Sequence, residues 1–172
     1  MTAGACWRRG ADFAVYDPKA DRWATLSNLP TQRFHLAADA IDGKIYVVGG
    51  RFEGGFRSQQ SDAVEVFDPK TNQWSKHRST LRPRGGVNGI AANGCFHLFG
   101  GEGNAEHPYG IYGDHDYHNS VTDSWHRLGN MPVPVHGVSG MAFIKGLIHF
   151  PGGGTTQVEA RARWSTRCIS RQ

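Results

Sequence analysis

One short stretch of this 172-residue chain gathers His107, Asp114, His115, Asp116 and His118, imidazoles and carboxylates of the kind that hold zinc or move protons. Zinc needs three or four donors converging at about 2.0–2.2 Å. In an extended strand His115 and His118 stand three residues apart and point to opposite faces, so the stretch makes no local metal site. These histidines therefore read as exposed or hydrogen-bonded loop residues, and no metal is assigned. His35, His97, His126, His136 and His149 are scattered through segments that read as strands or strand ends. A second kind of chemistry lies in two glycine-rich loops. The first, Arg51 to Gln60, carries Phe52, Phe56 and Arg57; the second, Glu102 to Asp114, carries His107, Tyr109 and Tyr112. Aromatics and arginines on long loops over a rigid scaffold dominate protein-binding surfaces. The six residues are expected to form a partner-binding surface; the alternative is that their rings fill the loops' own small cores. No Ser-His-Asp order, phosphate loop or close carboxylate pair stands out, so no catalytic residue and no cofactor is assigned.

Composition narrows the elements that must position these groups. Gly is 23 of 172 residues, nearly twice the usual ~7%, with no collagen-like period, which points to a turn-rich all-β chain. No stretch approaches the ~18 uninterrupted apolar residues of a membrane helix, and residues 1–10 lack the apolar centre of a signal peptide, so no membrane partner and no compartment is assigned. The net charge is +4, but Arg161, Arg163, Arg167 and Arg171 with Glu159 put +3 of it after Gln157. The body is near neutral, which argues against a nucleic-acid partner, since a duplex binder spreads Lys and Arg over a folded face. Cys6, Cys95 and Cys168 have no metal-ligand spacing and an odd count; Cys95, in an apolar run, reads as a small core residue.

The strongest signal is an internal repeat. Trp23, Trp74 and Trp125 stand 51 residues apart. Ahead of the first two lie Tyr16-Asp17-Pro18-Lys19 and Phe67-Asp68-Pro69-Lys70; the third copy has decayed to Tyr117-His118-Asn119-Ser120. Each copy has an apolar run ending in a glycine doublet: Gly49-Gly50, Gly100-Gly101 and Gly152-Gly153. The doublets permit positive φ and close backbone approach. Small-residue segments, Leu36 to Ile41 and Val87 to Ala92, lead through Asp42-Gly43 and Asn93-Gly94, dipeptides favoured in tight hairpins, into those apolar runs. The repeating unit is therefore four strands: a small-residue strand, an apolar strand to the doublet, a strand to the aromatic, and a strand from Trp. No segment shows a helical period.

With its glycine doublet, aromatic and Trp at this spacing, the chain resembles kelch-repeat proteins across residues 12–154, two copies matching well and the third departing at Ser120 and Pro151. The resemblance implies an all-β, kelch-type β-propeller fragment: two complete four-stranded blades flanked by two half-blades. The expected units are a half-blade at 12–27, blades at 33–79 and 84–128, and a half-blade at 136–151, between a poorly ordered start (1–11) and an irregular basic tail (155–172). In such a disc Trp23, Trp74 and Trp125 are structural residues between blades. Arg33 and Arg84 either line the mouth of the central channel, where they would bind an anion, or hydrogen-bond to a neighbouring blade.

Three blade-equivalents do not close a ring, because propellers close with about four to eight blades. The expectation is a piece of a propeller of about six blades whose open faces expose apolar surface and invite self-association. Two chains completing each other's half-blades would satisfy the same arithmetic. The tail is read either as the product of a shifted reading frame, whose alternative frame resembles a closing strand, or as a solvated basic terminus. Function is expected to be non-enzymatic protein binding. The rivals are a kelch-fold enzyme resembling galactose oxidase or sialic acid epimerases, and a truncated product with no function of its own. An oxidase of that kind needs a Tyr–Cys crosslink, and Cys95, in a buried strand before a doublet, is poorly placed for one.

Overall fold

The computed structural model describes residues 11–52, 58–138 and 140–157. Among them there are twelve strands and no helix: β1 (Ala14–Asp17), β2 (Arg22–Thr25), β3 (Ala37–Ile41), β4 (Lys44–Val48), β5 (Val64–Asp68), β6 (Gln73–His77), β7 (Asn88–Ala92), β8 (Cys95–Phe99), β9 (His115–Asn119), β10 (Ser124–Arg127), β11 (Ala142–Ile144) and β12 (Leu147–His149). β3 to β6 form one antiparallel four-stranded meander and β7 to β10 another; β1–β2 and β11–β12 are hairpins at either side. These are two complete blades and two half-blades, as the repeat predicts.

Local chemistry explains each turn. The inner hairpins turn through Asp42-Gly43, Asn93-Gly94 and Lys145-Gly146, all six residues at positive φ, the conformation of a two-residue turn whose twist matches the strands. In the outer hairpins one side chain caps the turn. Asp17 Oδ1 accepts the N–H of Lys19 and Ala20 at 2.9 and 3.2 Å, and Asp68 Oδ1 accepts that of Lys70 at 2.9 Å. Asn119 Oδ1 accepts those of Val121 and Thr122 at 2.9 and 3.2 Å, so the decayed third copy keeps its turn chemistry with an amide in place of a carboxylate.

The small residues of β3 and β7 reflect crowding where blades converge. A Cβ on Gly89 would stand 2.7 Å from the Ala37 Cβ and 2.6 Å from the Phe96 ring. Asp39 Oδ2 on β3 accepts the Ala91 N–H of β7 at 2.8 Å and ties the two innermost strands. The glycine doublets admit the segment that leads into the next blade: Gly50 N–H donates to Arg84 O at 2.9 Å, and a Cβ on Gly100 would overlap the Val135 carbonyl. The buried core, including Ile41, Tyr46, Val48, Val66, Phe96, Leu98 and Trp125, lies between the two complete blades.

Two of the three repeat tryptophans are clamped across blade boundaries. Trp74 Nε1 donates to Ser27 O at 2.8 Å and Trp125 Nε1 to Arg78 O at 2.9 Å, each acceptor lying four residues past the preceding Trp. Trp23 has no preceding blade among the described residues and is 68% exposed, against 7% for Trp125. Phe143, Ile144 and Leu147 are likewise exposed on the opposite half-blade. Cys95 is a free thiol that is only half-buried, at the start of β8, rather than a core residue, because it directly follows the exposed Asn93-Gly94 turn.

Candidate functional site

The long loops between β4 and β5 and between β8 and β9 emerge at one end of the blades, together with the segments that lead into β3, β7 and β11. Isolated bridges knit this face: Phe34 pairs with Arg51, Gly85 with Glu102 and His136 with Gly154. The residue following the first two doublets thus lies beside the next turn of backbone. At those positions the repeat alternates charge, Arg51 and then Glu102.

The two side chains meet across the blade boundary. Arg51 Nη1 sits 2.6 Å from Glu102 Oε1, and the carboxylate is buried. His136 Nδ1 lies 3.7 Å from its other oxygen, and His35 Nδ1 4.0 Å from Oε1. Arg51 Nη2 is 3.3 Å from His35 Nε2, while His136 Nε2 is 3.1 Å from the Thr156 carbonyl. Burial, with the Arg51 charge beside it, holds the His35 pKa below the ordinary imidazole value, so this ring is neutral at pH 7. Four residues from three successive units therefore form a fixed polar hub. Nothing in it resembles a nucleophile with a base: the carboxylate is already neutralised by guanidinium.

The expected surface residues separate around this hub. Tyr109 is 44% exposed, its ring 5.7 Å from that of His107, and its backbone N–H donates to His107 Nδ1 at 3.3 Å. Gln157 N–H donates to the Tyr109 carbonyl at 2.9 Å, pinning the loop from the far side. Phe52 is exposed on the other loop, with its N–H bonded to Gln59 O at 3.1 Å. Tyr112 turns inward: its hydroxyl donates to Gly103 O at 3.3 Å and the Arg82 guanidinium stands 5.3 Å over its ring. Phe56 and Arg57 lie outside the described residues, as do Cys6, Cys168 and the basic tail from residue 158.

Arg33 and Arg84 are both 1% exposed and each is engaged within its own blade. Arg33 pairs with Glu65 and donates to the Gly49, Thr31 and Val47 carbonyls at 2.7, 2.8 and 3.0 Å. Arg84 Nη2 lies 2.5 Å from Asp116 Oδ2, and Nη1 3.0 Å from Gly100 O. The acid follows the arginine by 32 residues in both copies. The third copy has Val135 at the corresponding position.

The histidine-rich stretch is divided by its strand. His115 turns to one face of β9, where its Nε2 is 3.0 Å from His97 Nδ1, and burial holds its pKa down at about 4. His118 turns to the other, buried face. There Nε2 lies 2.8 Å from Asp123 Oδ1, and the same oxygen is 3.2 Å from His77 Nδ1 on β6 of the preceding blade. His118 is thus a core residue of a blade boundary, not a loop histidine. His77 carried no signal of its own in the sequence, because its partners are more than forty residues away. Arg51 and Glu102 follow equivalent doublets with opposite charges, but their contact with each other and with His136 depends on how the blades stack.

The kelch motif matches residues 32–76, the first complete blade. The chain is 31% identical over 143 residues to Kelch-like protein terF of Aspergillus terreus, covering 83% of this chain and 30% of that protein. It is 33% identical to an F-box/kelch-repeat protein of Arabidopsis thaliana, over 76% of this chain and 35% of that protein. The chain spans about a third of the length of these curated relatives. The solved structure of YjhT superposes with a TM-score of 0.58 at 20% identity, over 67% of this chain and 44% of that one, and shares the fold. Repeat, sheet topology and relatives agree: this chain is a kelch-repeat protein, and its described sheets are kelch blades of the β-propeller fold.

Proposed function

We propose that the chain is a non-enzymatic protein-binding module, contacting its partner through the face that carries the β4–β5 and β8–β9 loops. The observation that carries this reading is Tyr109: a large exposed ring on a loop fixed from both sides, by His107 Nδ1 and by the Gln157 N–H, next to a rigid charged hub. An aromatic on backbone that is already fixed leaves less to order when it is covered, and exposed aromatics are enriched among the residues that dominate interfaces. Phe52, with Phe56 and Arg57 on the same loop, extends the surface in this reading. The units 33–79 and 84–128 act as its rigid scaffold. The module works within a ring of about six blades, which would cover Trp23 on one side and Phe143, Ile144 and Leu147 on the other.

The test is site-specific photocrosslinking in the organism's own extract. A photoreactive phenylalanine analogue replaces Tyr109 in one variant and Val121 in another, the latter in the exposed β9–β10 turn at the opposite end of the blades. The expected result is a discrete crosslinked protein from position 109 and none from 121. Equal labelling from both positions, or none from 109, overturns the reading.

A further inference from the structure

We propose that His77, His118 and Asp123 form a binding site for a divalent transition-metal ion of the zinc class, clamped between the two complete blades. The donor atoms, His77 Nδ1, His118 Nε2 and Asp123 Oδ1, all lie within 4.8 Å of one another, with 3.2 and 2.8 Å between Asp123 Oδ1 and the two nitrogens. Donors about 2.0–2.2 Å from a tetrahedral zinc stand roughly 3.3 Å apart, so small side-chain rotations suffice to admit the ion. Two imidazoles and one carboxylate favour zinc, cobalt or nickel over calcium or magnesium, which take oxygen donors.

The repeat shows that the trio is not something the fold requires. One blade earlier the same positions hold Leu26, Phe67 and Asn72. Asn72 does there the structural part of what Asp123 does, since its Oδ1 accepts the Ser27 N–H at 3.1 Å, as Asp123 Oδ1 accepts that of Arg78 at 3.1 Å. Both residues hold positive φ at the same point of the turn. A carboxylate and two imidazoles are therefore additions to a junction that works without them.

Fixity and access are both present. His118 is buried against the rings of Trp125 and Tyr46, with centroids at 5.1 and 6.0 Å, and cannot swing away. Asp123 is 45% exposed and His77 partly so, which leaves the remaining coordination positions to water. Burial depresses the His118 pKa and keeps the ring unprotonated. Although burial pulls the other way, the hydrogen bonds from His118 and the Arg78 N–H hold the Asp123 carboxyl below its ordinary value. Ligation at His118 Nε2 moves that ring's proton to Nδ1, which has no hydrogen-bond partner among the described residues. Zinc-bound histidines elsewhere normally anchor that second nitrogen, so binding looser than at a structural zinc finger is expected.

The test installs the first junction's own residues in the second: H77L, H118F and D123N, singly and together, in the full chain. Each is already accommodated at the equivalent position, so folding is retained and is checked by thermal melting without metal. Calorimetric titration with Zn2+ and the visible spectrum of the Co2+ form are the readouts. Wild type is expected to bind one ion with intense, tetrahedral-type cobalt absorption and to melt higher with zinc. Each single variant should weaken binding by more than about tenfold, and the triple variant should lose both the spectrum and the thermal shift. H126A, on the exposed outer strand, should bind as wild type does. Absence of binding by wild type, or binding that survives the triple substitution, overturns the proposal.

Discussion

The two blade junctions that can be compared side by side share a backbone clip and differ in what they pack around it. In both, an indole N–H crosses to the preceding blade, Trp74 to Ser27 O and Trp125 to Arg78 O. In both, the side chain of the left-handed turn residue, Asn72 or Asp123, accepts the N–H of that same acceptor residue. The acceptor's side chain closes the loop, Ser27 Oγ to Asn72 O at 2.8 Å and Arg78 Nε to Asp123 O at 3.0 Å. Around the clip, the first junction packs Phe13, Phe67 and Trp74, with centroids 4.8 to 5.3 Å apart. The second packs Tyr46, His77, His118 and Trp125. The repeat constrains the clip, because only that geometry joins one wedge of sheet to the next. The rings beside it need only fill space, and they are where chemistry can be added.

The largest effects should come from the part both blades share. Removing one partner of a buried ion pair strands a charge and costs about 3–5 kcal/mol. R33A should cost more than R84A. Among the described residues Glu65 keeps no other cation, whereas Asp116 also meets Arg127 on the outer strand. Urea unfolding of the two variants measures the difference; equal losses would mean that Arg127 does not take over. Next come the tryptophans. Phe in place of Trp forfeits the indole hydrogen bond to a partly exposed carbonyl, about 0.5–1.5 kcal/mol. The loss should be greatest for W125F, smaller for W74F and near zero for W23F, because Trp23 stands in solvent. A W23F variant as unstable as W125F would show that Trp23 is covered in the working protein.

Most of this frame was legible beforehand. The doublets, the Asp-Gly and Asn-Gly turns and the tryptophan spacing are short-range devices whose residue types dictate the backbone they permit, so blade count and strand order follow from them. The polar hub and the histidine trio were not legible, for a physical reason. Glu102 meets Arg51, and His118 meets His77, only because adjacent repeats are stacked, and stacking brings together residues about one repeat length apart. Reading His115 and His118 within their own strand correctly separated them, yet it hid the partner each finds elsewhere: His97 for one and His77 with Asp123 for the other. Side chains were also easier to place on a loop than to orient. Tyr109 and Tyr112 lie three residues apart in one loop, and only the first faces outward.

The smallest predicted effect separates the junctions by pH. His118 has a folded-state pKa below its unfolded value because burial penalises the imidazolium, so the unfolded chain binds the extra proton first as pH falls. The stability this ring permits is complete above about pH 6.5 and declines as pH drops below it. His97 and His115 act in the same direction on the other face of the blade, His115 down to about pH 4. Asp123 is also depressed, so its contribution is present above the unfolded carboxylate pKa and fades only at lower pH, as it becomes protonated in the folded state. The rings packed at the first junction, Phe13, Phe67 and Trp74, include no histidine. The urea midpoint of wild type should therefore fall between pH 7 and pH 5, H118F should fall less, and F67L should fall as wild type does from a lower start. If H118F keeps the full wild-type slope, the pH response belongs to His97, His115 and His35, whose pKa values are also lowered, and the second junction differs from the first in packing but not in protonation.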